Sequence, residues 1–185
     1  MRLHVLGIRH TQTTAEFNGC AFTAIVHKFL AMMSGRGHQI IHYGHRTRDW
    51  SYPDVEHIPV TTDDVHRVAY GDDYVFDKSW KTTGFNKFDI TDYAYREFTT
   101  NAIQAINERK QPNDILCVTF GYGHKDIADE VNMITVESGI GYPAAFAPYR
   151  VYESHAIRNA MYGPESISQS TQNSYYRVIP NYFRN

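Results

Sequence analysis

Two short, unbroken apolar runs, Ile115-Leu-Cys-Val-Thr-Phe120 and Met133-Ile-Thr-Val136, constrain this chain more than anything else in it. Each is too short for a buried helix and rich in β-branched residues, so each reads as a strand of a buried sheet. Each also stops abruptly at a polar turn that carries glycines, Gly121-Tyr-Gly-His124 after the first and Glu137-Ser-Gly-Ile-Gly141 after the second. Between them lies one short helical segment, Lys125 to Glu130. Strand, helix, strand at this spacing predicts a parallel crossover, and in an open parallel sheet ligands bind outside the carboxyl ends of the strands.

The rest of the chain repeats the alternation. Leu3 to Ile8 predicts a first strand, followed by the polar run Arg9-His-Thr-Gln-Thr-Thr14. Thr13 and Glu16 have capping-box spacing, and Phe22, Ile25, Val26, Phe29, Leu30 and Met33 recur at three and four, the stripe of an amphipathic helix. Ser34-Gly-Arg-Gly-His38 ends that helix and Gln39 to Tyr43 predicts the next strand. From His45 to Asn86 the pattern is weak: a strand-like piece at His57 to Val60, a helical turn from Thr62 to Tyr70, and loop at Gly71-Asp-Asp73 and Lys81-Thr-Thr-Gly84. Thr91 then caps a helix to about Lys110, Val151 to Met161 predicts a helix stopping at Gly163 and Pro164, and Tyr175 to Ile179 makes a last strand. The expected architecture is one Rossmann-like α/β domain over residues 1–179, with a doubly wound, mainly parallel sheet.

Composition narrows the function classes. Eighteen basic residues against twenty acidic ones leave no surplus of positive charge, so nucleic acid is not indicated as a partner. No apolar window is long enough for a membrane span, and Cys20 and Cys117 each sit in an apolar pattern, as reduced core residues of a cytoplasmic protein do. Gly7-Ile-Arg-His-Thr-Gln12 lacks the glycine pattern of a dinucleotide-binding turn. His38, His42 and His45 suggest a metal site only weakly, since only His38 and His42 share a strand face and no Cys or carboxylate completes the set.

Three pieces together resemble the N-terminal domain of GT-B type glycosyltransferases: the strand, polar loop and helix at the start, the helix end and strand Arg36-Gly-His-Gln-Ile-Ile41, and the phrase Val178-Ile-Pro-Asn-Tyr-Phe183. Glu137-Ser-Gly-Ile-Gly141 and Arg150-Val-Tyr-Glu-Ser154 are similar to segments of viral and bacterial relatives. The resemblance implies the acceptor-side half of a two-domain enzyme. Its substrates are a nucleotide-sugar and a saccharide or other hydroxyl acceptor, it needs no cofactor and no metal, and residues 180–185 begin the connector to a C-terminal donor-binding domain. The chain alone is then expected to be inactive.

On that reading Glu137 and His124 are the candidate catalytic groups, a carboxylate and an imidazole at adjacent strand ends able to take a hydroxyl proton. Substrate contacts fall to His10, Thr11 and Asn18 in the first loop, to Ser138, Gly139 and Tyr142 after the second run, and to Arg150 and Glu153. Each has a plainer alternative. His10 is also a satisfied loop histidine, His124 an exposed helix-start side chain, and Arg150 with Glu153 a structural ion pair. A non-catalytic Rossmann-like module that captures a saccharide or nucleotide is the competing function.

Overall fold

The computed structural model describes residues 1–71, 89–168 and 175–180, with side chains described for all of these but 164–168. Seven strands form one entirely parallel sheet: β1 (Arg2–Leu6), β2 (Gln39–His45), β3 (Val55–Thr61), β4 (Ile115–Val118), β5 (Ile134–Ile140), β6 (Tyr149–Tyr152) and β7 (Tyr176–Val178). Their order is β3-β2-β1-β4-β5-β6-β7. The direction of progression therefore reverses between β1 and β4. This is the doubly wound α/β arrangement the alternation predicts, and the reversal opens a crevice at the carboxyl ends of β1 and β4.

Two apolar clusters sandwich the sheet. On one face α1 (Ala21–Met33) sets Val26 and Leu30 against Leu3, Val5, Ile40 and Cys117. On the other, α3 (Tyr93–Asn107) and α4 (Lys125–Val131) set Phe98, Ala102, Ile106, Ile127 and Val131 against Leu6, Ile41, Tyr43, Leu116 and Val118. A short α2 (Asp63–Tyr70) follows β3, capped by Thr62. At the amino ends of the strands, His4 is fully buried and ties three strands together. One ring nitrogen lies 2.8 Å from the Tyr43 hydroxyl on β2, the other 2.9 Å from Asp114 at the start of β4, which Arg2 also contacts at 2.8 Å.

Several boundaries differ from expectation. The run at Met133 does not end at Val136: β5 continues through Glu137 to Ile140, with an irregularity between Ser138 and Ile140. The segment from Val151 is not a helix, because Tyr149–Tyr152 pairs with both β5 and β7 as β6. The helix there, α5, spans His155–Ser168 and runs through Gly163 and Pro164, held by Ile157, Met161 and Tyr162 packed against Ile140, Tyr152 and Tyr176. Tertiary packing overrides the helix-breaking composition. Residues 15–17 form a single 3-10 turn without a side-chain cap, in place of the capping box, and Asp92 rather than Thr91 caps α3, accepting from the Tyr95 N–H at 2.6 Å. The loop expected at Lys81-Thr-Thr-Gly84, all but Gly71 of the one expected at Gly71-Asp-Asp73, and the connector past Pro180 lie outside the described residues.

The link from β5 to β6 departs most from a doubly wound sheet. Instead of a crossover helix, residues 141–148 return as an irregular strap whose Tyr142 meets Phe22 of α1 and whose Phe146 packs with the cluster that carries α4. Gly139 makes the start of this return possible: its φ is +68°, and a Cβ there would meet Ile25 of α1 at 2.9 Å. We expect Gly139→Ala to lower stability by about 2 kcal/mol or more, combining left-handed strain with overpacking. Urea unfolding monitored by circular dichroism measures it.

Candidate functional site

The carboxyl ends of β1, β4 and β5 stand side by side, so the turns that follow them form one rim. The first turn carries Arg9, His10 and Thr11, all buried. The Arg9 guanidinium lies 3.9 Å over the Tyr95 ring and 5.4 Å from Phe120, and its backbone carbonyl accepts from His66 Nε2 at 2.7 Å. Burial lowers the Arg9 pKa to about 10, and it stays a cation at neutral pH. Burial, reinforced by Arg9 and His66, pushes the His10 imidazole down to about 4. The Thr11 hydroxyl pairs with that of Thr23 on α1 at 2.6 Å. Asn18 stands away from this group, exposed, with its amide oxygen 3.2 Å from His27 Nδ1.

His124 closes the second turn. It is not the exposed helix-start side chain of the plainer alternative: it is 1 % exposed, and its Nε2 lies 3.1 Å from the Gly7 carbonyl as a donor across the β1–β4 crevice. Burial, together with Arg9, holds its pKa down at about 3. At neutral pH the ring is an uncharged strut between the two central strands. Phe120 lies between His10 and His124, with ring centroids 5.7 Å from each, and meets Phe22 edge-on at 4.8 Å.

Glu137 is entirely enclosed. Its carboxylate accepts three hydrogen bonds, from the Tyr142 hydroxyl at 2.7 Å and from the backbone N–H groups of Phe146 and Ala147 at 2.8 and 3.2 Å. Tyr142 in turn accepts from the Gly121 N–H at 3.0 Å, so one chain of donors runs from the β4 turn through Tyr142 to Glu137. Burial and the neighbouring carboxylate raise the Tyr142 pKa, which keeps its proton on the phenol. Gly121 has a φ of +51°, and a Cβ there would strike the Tyr142 ring at 2.9 Å.

Arg150 is the cross-strand neighbour of Glu137 on β6. Its Nε donates to the Ala147 carbonyl at 2.7 Å and its guanidinium lies 4.9 Å over the Tyr176 ring. Glu153 sits not in the first turn of a helix but in the link before α5, with its carboxylate against Gly141. Ser138 and Gly139 lie within β5 rather than in a loop. The structure thus brings His10, Thr11 and His124 together at one crevice and Glu137, Tyr142 and Arg150 together under the strap. Tyr142 joins the two groups.

Sequence reasoning passes over Arg9, Phe120 and His66. Arg9 and Phe120 flank the crevice directly, and the signal available for them was position alone, at the ends of the two central strands. Among the described residues no group of three or more His, Cys, Asp or Glu side chains could hold a metal ion. His42 pairs with His57, their Nδ1 atoms 2.9 Å apart, and His45 lies 3.4 Å from Asp63. No helix among the described residues is long and apolar enough to cross a membrane. Two open clefts lie outside the crevice itself. One of about 600 Å³ is at Gly37 to Gln39 and Asp54 to Glu56, and one of about 650 Å³ runs between α4 and the strap.

No protein-family model matches the chain, and no curated protein matches it.

Two predictions follow from this geometry. Glu137→Gln puts an amide donor opposite the strap's own donors, and we expect a loss of about 1–3 kcal/mol in unfolding free energy, against about 1 kcal/mol for Tyr142→Phe. Denaturant titration separates the two. His124 titrates near 6.5 when unfolded but near 3 when folded, so the unfolded state takes up a proton that the folded state refuses. Stability should therefore be level above about pH 7 and fall as pH drops from about 6.5 toward 3, by up to about 1.4 kcal/mol per pH unit for each such group. His10 acts in the same sense. The urea midpoint followed against pH checks the slope, which His124→Asn should make shallower.

Proposed function

We propose that this chain is the acceptor-side half of a GT-B type glycosyltransferase, moving a sugar from a nucleotide-sugar donor to a hydroxyl of a glycan or other acceptor once a donor-binding domain completes the cleft. The observation that carries the reading is the rim itself. The turns after β1, β4 and β5 converge at the reversal of strand order, with a cation, hydroxyls and aromatic rings gathered there. Arg9, His10 and Thr11 are themselves buried, so what the rim offers a hydroxylated ligand in this form is its half-buried rings, Phe22, Phe120 and Tyr142, which suit the carbon faces of a sugar. Two free, buried cysteines accord with a cytoplasmic setting.

Burial shapes the roles. His124 and Glu137 are enclosed and hydrogen-bonded to the chain itself, so in this form they position the rim rather than touch an acceptor. Catalytic groups that act on the sugar and its leaving phosphate then require the second domain to close over the rim. The same burial favours one other reading, a binding module that holds a saccharide or nucleotide without turning it over.

Calorimetric titration distinguishes them. The isolated chain should bind simple glycans in preference to uridine or guanosine diphosphate sugars and should transfer no sugar, while the chain joined to a donor-binding domain should turn over. A preference for the nucleotide supports the module, and robust transfer by the isolated chain overturns the acceptor-half reading.

A further inference from the structure

We infer that the cleft between α4 and the 141–148 strap is a second saccharide site, one that takes the distal units of an extended acceptor whose reacting end lies at the rim. The inference rests on the acceptor-half reading above and goes beyond it by assigning a ligand to a surface that the reading leaves idle.

The cleft has a physical cause. A crossover helix is about 10 Å across with its side chains, and a single irregular strand of backbone is much thinner. Where the strap stands in for a helix, it leaves about 650 Å³ unfilled beside α4, within the range of ordinary ligand sites. Its strap-side wall is Phe146, Pro148 and Tyr149 and its helix-side wall includes Lys125 and Asp129, ion-paired with each other, with Lys125 Nζ 6.0 Å from the Phe146 ring and Asn132 at the end of α4. This pairs an aromatic surface with a Lys–Asp ion pair and an amide. Pyranose rings present one apolar carbon–hydrogen face and an equatorial belt of hydroxyls, and these two kinds of surface match them.

Two further features distinguish this cleft from an incidental groove. Its aromatic wall is held in place, since the Phe146 and Ala147 N–H groups are the ones bound to the buried Glu137 carboxylate. It is also continuous with the rim: Tyr122, in the β4 turn and 57 % exposed, stacks with Phe146 at a centroid distance of 6.4 Å and an interplanar angle of 28°. A chain of sugars leaving the rim over Tyr122 meets Phe146 next and then the cleft. The other cleft, at Gly37 and Asp54, has no aromatic lining residue and carries no such argument.

Nitrogen-15 NMR of the isolated chain, titrated with cellotetraose, maltotetraose and chitotetraose and with the corresponding monosaccharides, tests the assignment. At least one tetrasaccharide should bind tenfold or more tighter than its monosaccharide and shift the amide signals of Asn132, Ile134 and Phe146 together with that of Gly121. Asn132→Gly keeps the left-handed backbone that residue adopts and removes its amide side chain, and Phe146→Ala removes the platform. Each should weaken the tetrasaccharide at least threefold and leave monosaccharide binding at the rim unchanged, with Asn132→Gly serving as the fold-neutral variant. Shifts confined to the rim, with no gain from chain length, overturn the second site and leave the acceptor-half reading standing. No response to any of the six sugars overturns the second site together with a glycan as the acceptor.

Discussion

The buried carboxylate of Glu137 is the constraint from which the second half of this fold follows. A parallel sheet needs both faces covered, and a helix between β5 and β6 would do so with apolar side chains. Here the cover is a strap of backbone whose N–H groups have no helix in which to pair. Glu137 supplies acceptors for two of them and for the Tyr142 hydroxyl. An enclosed carboxylate is costly unless its oxygens are satisfied, and three donors around it offset that cost. The strap and the carboxylate therefore require each other. Through Tyr142 the same group fixes the turn after β4, so the rim and the cleft beside α4 share one anchor.

The central strands rely at both ends on a different device, the neutral imidazole. His4 joins β1 to β2 and to the start of β4, His124 bridges to Gly7, and His66 binds the Arg9 carbonyl. In each case burial pushes the ring's pKa below its ordinary value. An uncharged imidazole offers one donor and one acceptor in a flat, packable ring, which lets polar groups at a strand end, backbone carbonyls for His66 and His124 and side chains for His4, be satisfied without adding a positive charge to the core. The cation at the crevice is Arg9, sandwiched with aromatic rings that tolerate it.

Much of the fold was legible in the sequence, and where it was not the reasons are physical. The stripe on α1 and the apolar runs of β4 and β5 announce themselves because burial there follows the period of the element. On β6 it does not: Arg150 points into the protein while Val151 is only half-buried, so the usual apolar-in alternation is hidden. The helix through Gly163 and Pro164 depends on Ile157, Met161 and Tyr162 finding partners on β6 and β7, a tertiary fact. The site follows the same rule. Which turns converge was readable from strand ends, but the enclosure of His124 depends on a carbonyl 117 residues away, and that of Glu137 on a strap that reads as loop. Nothing local in the polar run marks Arg9 as a guanidinium that will lie on a tyrosine of α3.

The place of β1 in the middle of the sheet sets an order of assembly during translation. Its ladder with β2 can form as soon as residue 45 is available, but its other side waits for Ile115 to Cys117, about seventy residues later in the chain. Until then a three-stranded intermediate presents Leu3 and Val5 along an unpaired edge, the kind of surface that recruits neighbouring nascent chains. A ribosome that pauses between α2 and β4 would prolong that exposure, whereas one that has released β4 presents a closed centre to which the remaining strands simply add.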